Sequence, residues 1–233
     1  MNRFLAAAGF GSRRGCEELI REGKVSLNGH FIRDLATIVR PGDDVRVAGK
    51  PPPRQSPLVH ILLHKPKGVL CTRSDERARP TVFDFVPPHF GRLFHAGRLD
   101  KDSEGLILLT NDGDLSQRLT HPTHEVEKEY DVFLDKPFDS RHTAKLLRGF
   151  VIVGGRARAE RVEMATPTLL KVVLRQGIKR QIRLMFFHLG YEVERLVRTR
   201  IGRVKLGTLQ PGHWRLLDHR EVALLAGADK TTS

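Results

Sequence analysis

Cysteine is nearly absent from this chain. Its two copies, Cys16 and Cys71, stand far apart and belong to no CxxC or His-ligand pattern, so neither a disulfide framework nor a zinc site is supported. Both are expected to be reduced, inert thiols. No apolar run approaches the ~20 residues that a bilayer-spanning helix requires. No strongly amphipathic basic helix stands out either, so binding to a membrane surface is not expected. The opening patch Phe4-Leu5-Ala6-Ala7-Ala8 is broken by Gly9, Gly11 and Arg13-Arg14, too short and badly flanked for a signal peptide, and a cytoplasmic location is expected. His121 and His124 lack an acidic or Cys partner at ligand spacing, so they are assigned no chemistry. Internal repeats and low-complexity tracts are also missing.

What the chain has in excess is positive charge. Lys and Arg number 40 against 27 Asp and Glu, a formal balance of +13. A polyanion is the natural partner for such a surface, and nucleic acid leads the list. The 233 residues are enough for a good core and for two units, one small and one larger.

Residues 1–48 read as a small α-plus-β module. Phe4, Leu5 and Ala8 fall at helical spacing, and Ser12 is placed to N-cap a second helix ending at Arg21. Asn28-Gly29 between short apolar alternations signals a hairpin, and Pro41-Gly42-Asp43 turns the chain into Val45-Arg46-Val47. Residues 49–57, with three consecutive prolines, cannot continue a helix or a central strand and read as a stiff linker. In residues 58–233, strands are expected at 59–63, 105–110, 126–134 and 169–175, and near Val193 and Trp214. Helices are expected at 114–120, 140–148 and 179–189. With no regular βα alternation, the fold class is α+β around a mostly antiparallel sheet.

The first module carries Arg3-Phe4-Leu5, Ser12-Arg13-Arg14, Gly23-Lys24-Val25-x-Leu27-Asn28-Gly29 and Arg40-Pro41-Gly42-Asp43-x-Val45. Over its whole length it resembles an S4 RNA-binding domain. That resemblance implies Arg3, Ser12, Arg13, Arg14 and Lys24 as RNA contacts; by composition alone, basic residues on a short helix equally read as a solvated face.

Asp100 sits in Gly97-Arg98-Leu99-Asp100-Lys101-Asp102-Ser103-Glu104-Gly105, a turn-rich segment with an arginine beside the carboxylate. A calcium loop is imitated by Asp100-x-Asp102-x-Glu104-Gly105, but Asn111 stands where that loop needs a bidentate Glu. Taken alone, the segment is most simply a turn capped by Asp. It belongs, however, to a larger set: His95-x-Gly97-Arg98-Leu99-Asp100-x4-Gly105-Leu106-x3-Thr110-Asn111-Asp112-Gly113, Glu127-Lys128-Glu129-Tyr130-x-Val132, Gln176-Gly177-x-Lys179-Arg180-Gln181-Ile182-Arg183-x-Met185-Phe186, and Leu63-x-Lys65-Pro66-x-Gly68. Together these resemble the S4-containing pseudouridine synthases that isomerise uridine in ribosomal RNA.

The resemblance implies Asp100 as the catalytic carboxylate, acting without metal or cofactor, either as nucleophile at the sugar or as proton acceptor. It implies Arg183 as the cation that keeps the enclosed carboxylate ionised. Tyr130 would stack on the target uracil and help to move the proton at carbon 5, and Arg98 would either enter the RNA where the base is flipped out or hold a phosphate. Arg98, Ile182 and Arg180 form the implied substrate-binding set. Without the family pattern, Ile182 reads as a core residue, Arg183 as a helix charge and Tyr130 as a sheet-packing ring. The basic run Arg195, Arg198, Arg200, Arg203 and Lys205 is expected near the cleft mouth, touching phosphates. The implied partner is ribosomal RNA or a ribosomal assembly intermediate, with the large subunit slightly favoured over the small, and the protein is expected to act as a monomer. A non-catalytic ribosome-associated RNA-binding protein is the competing function.

Overall fold

The computed structural model describes residues 1–53 and 57–226, and the chain divides into two compact units, the first Met1–Leu58 and the second beginning at Val59. The expected linker thus lies partly outside the described residues.

In the first unit, helices α1 (Asn2–Ala7) and α2 (Arg13–Arg21) precede strands β1 (Val25–Leu27), β2 (His30–Ile32) and β3 (Val45–Val47). Ser12 starts α2 as expected: its hydroxyl accepts the Gly15 amide at 3.0 Å and satisfies a donor that has no partner within the helix. The hairpin closes at Asn28-Gly29, and β1 pairs antiparallel with both β2 and β3. Leu5, Cys16, Ile20, Val25, Val45 and Val47 form the buried core of this unit.

The second unit contains β4 (His60–Lys65), β5 (Phe94–Ala96), β6 (Glu104–Thr110), α3 (Gly113–Thr120), β7 (Lys128–Leu134), α4 (Thr143–Arg148), β8 (Phe150–Ile152), β9 (Gly155–Ala157), β10 (Arg161–Thr166), β11 (Leu169–Leu174), α5 (Gln181–Phe187), β12 (Val193–Ile201), β13 (Val204–Lys205), β14 (Trp214–Leu216) and α6 (His219–Ala226). The main sheet runs β10-β11-β7-β12-β6-β4-β14, with β13 on β12 and β5 on β6. The β6–β12 contact is parallel and the other pairs in this sheet are antiparallel, which gives the expected α+β architecture.

Alternate residues of the central strands feed two separate cores, as the two-residue period of a strand requires. On one face Ile61, Leu63, Ile107, Leu109, Tyr130, Val132 and Val172 pack with Ile182, Met185 and Phe186 of α5 and with Leu146 of α4. On the other, Leu62, Leu106 and Leu108 pack with Leu115 and Leu119 of α3 and with Leu225 of α6. All seven residues of β6 are buried, because helices cover both of its faces. Gly105 is the residue that lets β12 come alongside: at φ +105° it has a backbone that side chains rarely tolerate, and a Cβ there would collide with the backbone N and O of Arg198.

Candidate active site

Leu99, Tyr130 and Ile182 belong to one buried cluster, so their chain neighbours Asp100 and Arg183, both half-buried, are brought to the rim of the same core. Arg98 and Arg180 are exposed. Asp100 opens a tight turn before β6, its carbonyl accepting the Ser103 amide at 3.1 Å.

That turn is held from below by two side chains of residues 65–71. Lys65 is fully buried at 0% exposure, and its ammonium donates to the carbonyls of Pro66 and Val69 at 2.9 Å each and of Lys101 at 3.3 Å. The Gly68 amide donates to the same Lys101 carbonyl at 2.8 Å. Burial pushes the Lys65 pKa down, partly offset by Cys71, Glu104, Asp102 and Asp100. The Cys71 sulfur accepts the Leu99 amide at 3.4 Å, and burial raises its thiol pKa, which keeps it a neutral acceptor. The carboxylate-bearing residue is thus fastened on both sides, by Leu99 before it and Lys101 after it.

Arg183 fastens the same turn from α5. Its Nη2 donates to the Asp102 carbonyl at 3.0 Å and its Nη1 to the Val193 carbonyl at 2.5 Å. Among the described residues its side chain forms no ion pair with Asp100, and its buried Nε has no hydrogen-bond partner. Burial and neighbouring Arg180 lower the Arg183 pKa, while Asp102, Asp100 and Glu192 raise it, so Asp100 is close enough to act through its charge. Arg180 stands before α5 rather than within it. Its left-handed backbone (φ 56°) starts the helix two residues later than the expected 179, and its guanidinium is 4.0 Å from the Asp102 carboxylate.

Tyr130 lies mid-strand on β7, opposite Val172 of β11 and Arg198 of β12, with its ring nearly buried. Two positions earlier on the same face, Lys128 donates to the Val126 carbonyl at 2.9 Å, and burial, with a smaller effect of Arg198, pushes its pKa down to about 8.

The basic run does not form the phosphate-binding set that its composition suggests. Arg198 is buried at 2% exposure and donates to the Leu106 carbonyl at 2.7 Å. Arg195 forms a two-point ion pair with Glu104 at 2.9 and 3.0 Å, and Arg200 pairs with Glu127 and Glu129. β12 crosses the middle of the sheet, where buried cations must be paired or bonded, so Arg198 and Arg200 join strands, while Arg195 pairs with Glu104 and stays exposed. Arg203 and Lys205 are exposed beyond the end of β12. The motif Thr110-Asn111-Asp112-Gly113 is likewise scaffold: Asn111 accepts the Val59 amide at 2.7 Å, and Asp112 caps α3 by accepting the Asp114 and Leu115 amides. In the first unit, Arg3, Ser12, Arg13, Arg14 and Lys24 are all exposed, Lys24 paired with Glu22 at 2.8 Å.

Lys65, Cys71, Glu104 and Gln181 had no assigned role in the sequence reading. A lysine ending an apolar strand reads as a solvated terminus, and nothing local shows that three carbonyls converge on it. Gln181 is buried beneath the start of α5, donating to the Arg158 carbonyl and to Gln176.

Comparison with known proteins identifies the family of the chain. The S4 domain profile matches residues 2–45, and the RNA pseudouridylate synthase profile matches residues 59–188. An uncharacterized RNA pseudouridine synthase of Mycobacterium leprae (strain TN) is 42% identical, covering 97% of this chain and 91% of that protein. The dual-specificity RNA pseudouridine synthase RluF of Escherichia coli (strain K12) is 40% identical over 95% of this chain and 76% of its own length. A crystal structure of a pseudouridylate synthase superposes with a TM-score of 0.72 at 29% identity, covering 96% of this chain and 98% of the other. With a family profile over more than half its length and relatives of this identity along nearly all of it, the chain belongs to the RNA pseudouridine synthases, as a member with an N-terminal S4 domain.

Proposed function

We propose that this synthase isomerises one uridine of ribosomal RNA, with the large-subunit RNA favoured over the small, and that Asp100, Tyr130 and Arg183 carry the reaction. The observation that supports the site is the double fastening of the Asp100 turn, from Lys65 and Cys71 on one side and from Arg183 on the other. A reacting group needs a fixed geometry, and these contacts fix the backbone that carries the carboxylate. In the reaction the bond from C1′ of the ribose to N1 of uracil breaks, the ring turns, and a bond from C1′ to C5 replaces it. The hydrogen of C5 leaves as a proton and N1 gains one, so no oxidant or reductant is consumed.

In this reading Asp100 acts at the ribose, Arg183 offsets the loss of hydration around its charge, and Tyr130 gives the extruded base a flat surface, worth roughly 1–3 kcal/mol per stacked base. Arg98, exposed beside Asp100, enters the space that the base vacates, and Ile182 and Arg180 line the rest. Arg3, Ser12, Arg13, Arg14 and Lys24 of the S4 domain hold the RNA by its backbone. The protein works as a monomer in the cytoplasm, on ribosomal RNA or an assembling particle. The S4 domain and the basic balance of +13 support RNA as the partner.

Tritium release from 5-tritiated uridine in separate 16S and 23S ribosomal transcripts, and in partly assembled particles, tests the reading. Release from the 23S substrate, abolished by Asp100→Asn with RNA affinity retained, is the expected result. Release from the 16S substrate alone would reverse the subunit preference. No release from any substrate despite tight binding would replace the enzyme with an RNA-binding protein.

A further inference from the structure

An open depression of about 410 Å³ lies among Arg148, Arg156, Arg158, Gln176, Glu125 and Glu160. Arg148 ends α4, Arg156 lies within β9, and Arg158 follows just after that strand. Gly149 brings them together: at φ +83° it reverses the chain so closely that a Cβ would sit 2.5 Å from the Ala157 carbonyl oxygen and 2.9 Å from the Arg158 Cβ. All three arginines are exposed.

The two carboxylates at the rim are already matched. Glu125 pairs with Arg175 at 3.5 Å, and Glu160 with Arg158 at 3.3 Å. Arg156 donates to the Arg148 carbonyl at 2.9 Å and, among the described residues, neither Arg148 nor Arg156 has a carboxylate partner. Both arginines line the same depression, so an anion held there meets two guanidiniums that no carboxylate pairs among the described residues.

The depression is also fixed to the candidate active site. Gln176 accepts the Arg158 amide at 3.1 Å and donates to the Arg156 carbonyl at 3.0 Å. Gln181, which begins α5 two residues before Arg183, donates to Gln176 at 3.0 Å and to the Arg158 carbonyl at 3.1 Å. A ladder of side-chain amides thus runs from the arginines to the helix that carries Ile182 and Arg183.

We propose that this depression is a phosphate site that grips the RNA backbone beside the target nucleotide, with Arg148 and Arg156 as its main contacts and Arg158 as support. This rests on the function proposed above and adds a place where the strand is held outside the base pocket. Backbone contacts of this kind set register and affinity without reading sequence.

The test is the salt dependence of binding of the full-length protein to the 23S transcript and to an oligouridylate strand, comparing the native chain with Arg148→Ala/Arg156→Ala and Arg148→Lys/Arg156→Lys. For one lost phosphate contact, the slope of log affinity against log salt should fall by about 0.7–0.9 in the alanine pair. The transcript KM should rise more than kcat falls, and the lysine pair should restore most of the slope. Unchanged slope and affinity in an alanine pair that melts like the native chain would overturn the site while leaving the proposed function standing. A native chain that releases tritium from no substrate would instead remove the reading on which the site depends.

Discussion

The Arg183 guanidinium donates to the backbone carbonyl of Asp102 at 3.0 Å, and through that bond helix α5 is tied to the turn that presents Asp100. The cation therefore has two tasks at once: it supplies positive charge near the carboxylate, and it fixes where the carboxylate's turn lies. Separating the two guides the first prediction.

Arg183→Ala should lower kcat by about 10²-fold or more, the scale of losing a preorganised donor, while RNA affinity changes much less. Arg183→Lys should recover only part of this, because a single ammonium cannot reach the Asp102 and Val193 carbonyls with the same fork. Single-turnover rates on a 23S transcript would show it; full recovery by lysine would mean that only the charge matters.

Lys65→Met keeps the stem and removes the ammonium, leaving the Pro66, Val69 and Lys101 carbonyls without that donor. A loss of about 2–3 kcal/mol of stability is expected, since the Lys101 carbonyl keeps the Gly68 amide but the Pro66 and Val69 carbonyls lose this donor. Because one of the three belongs to the Asp100 turn, kcat should fall as well at temperatures where the variant is fully folded. Urea unfolding alongside tritium release would separate the two effects.

Gly105→Ala should be among the most damaging small substitutions, at about 3 kcal/mol or more, since it combines a strained backbone with a collision against Arg198. Thermal unfolding would test this. A near-native melting temperature would mean that β12 can shift away from β6 at little cost.

Lys128 gives a pH dependence with a definite sign. Its folded-state pKa of about 8 lies below the ordinary value of 10.5, so between those values the unfolded chain holds a proton that the folded chain has released. Stability contributed by this group therefore rises as pH climbs through that window, and is lowest below it, where the ammonium is charged and buried. Comparing native protein with Lys128→Met in urea at about pH 7 and about pH 10, the native chain should gain relative to the variant at the higher pH. A difference that stays constant would mean that Lys128 is solvated.

Much of the architecture was readable from local pattern. Ser12 and Asn28-Gly29 are short-range signals whose partners lie within a few residues, and the apolar sets of β4, β6 and α5 have clear periods. Elements whose identity depends on distant neighbours were not. β10 alternates over Arg161-Val162-Glu163-Met164 but lies at the sheet edge with little buried surface, and the β8–β9 hairpin exposes Val151 and Val153 and lacks the alternation that marks a half-buried strand. The arginines of β12 show the same limit at the site. Arg198 reads as a solvent-facing cation because the Leu106 carbonyl that receives it is 92 residues away in the chain, and the Glu104 partner of the exposed Arg195 is as remote. Asp100, Tyr130 and Arg183 stood out through family motifs, whereas the contacts of Lys65 and Cys71 needed three-dimensional proximity to be seen.

A strand such as β6, with no residue facing water, has no position at which a substitution is free of consequence. Tolerance to change in this chain is thereby confined to its outer elements, such as the exposed edge strand β10 and the β8–β9 hairpin. One unyielding strand inside the sheet thus concentrates constraint at the turn that precedes it and leaves freedom at the rim.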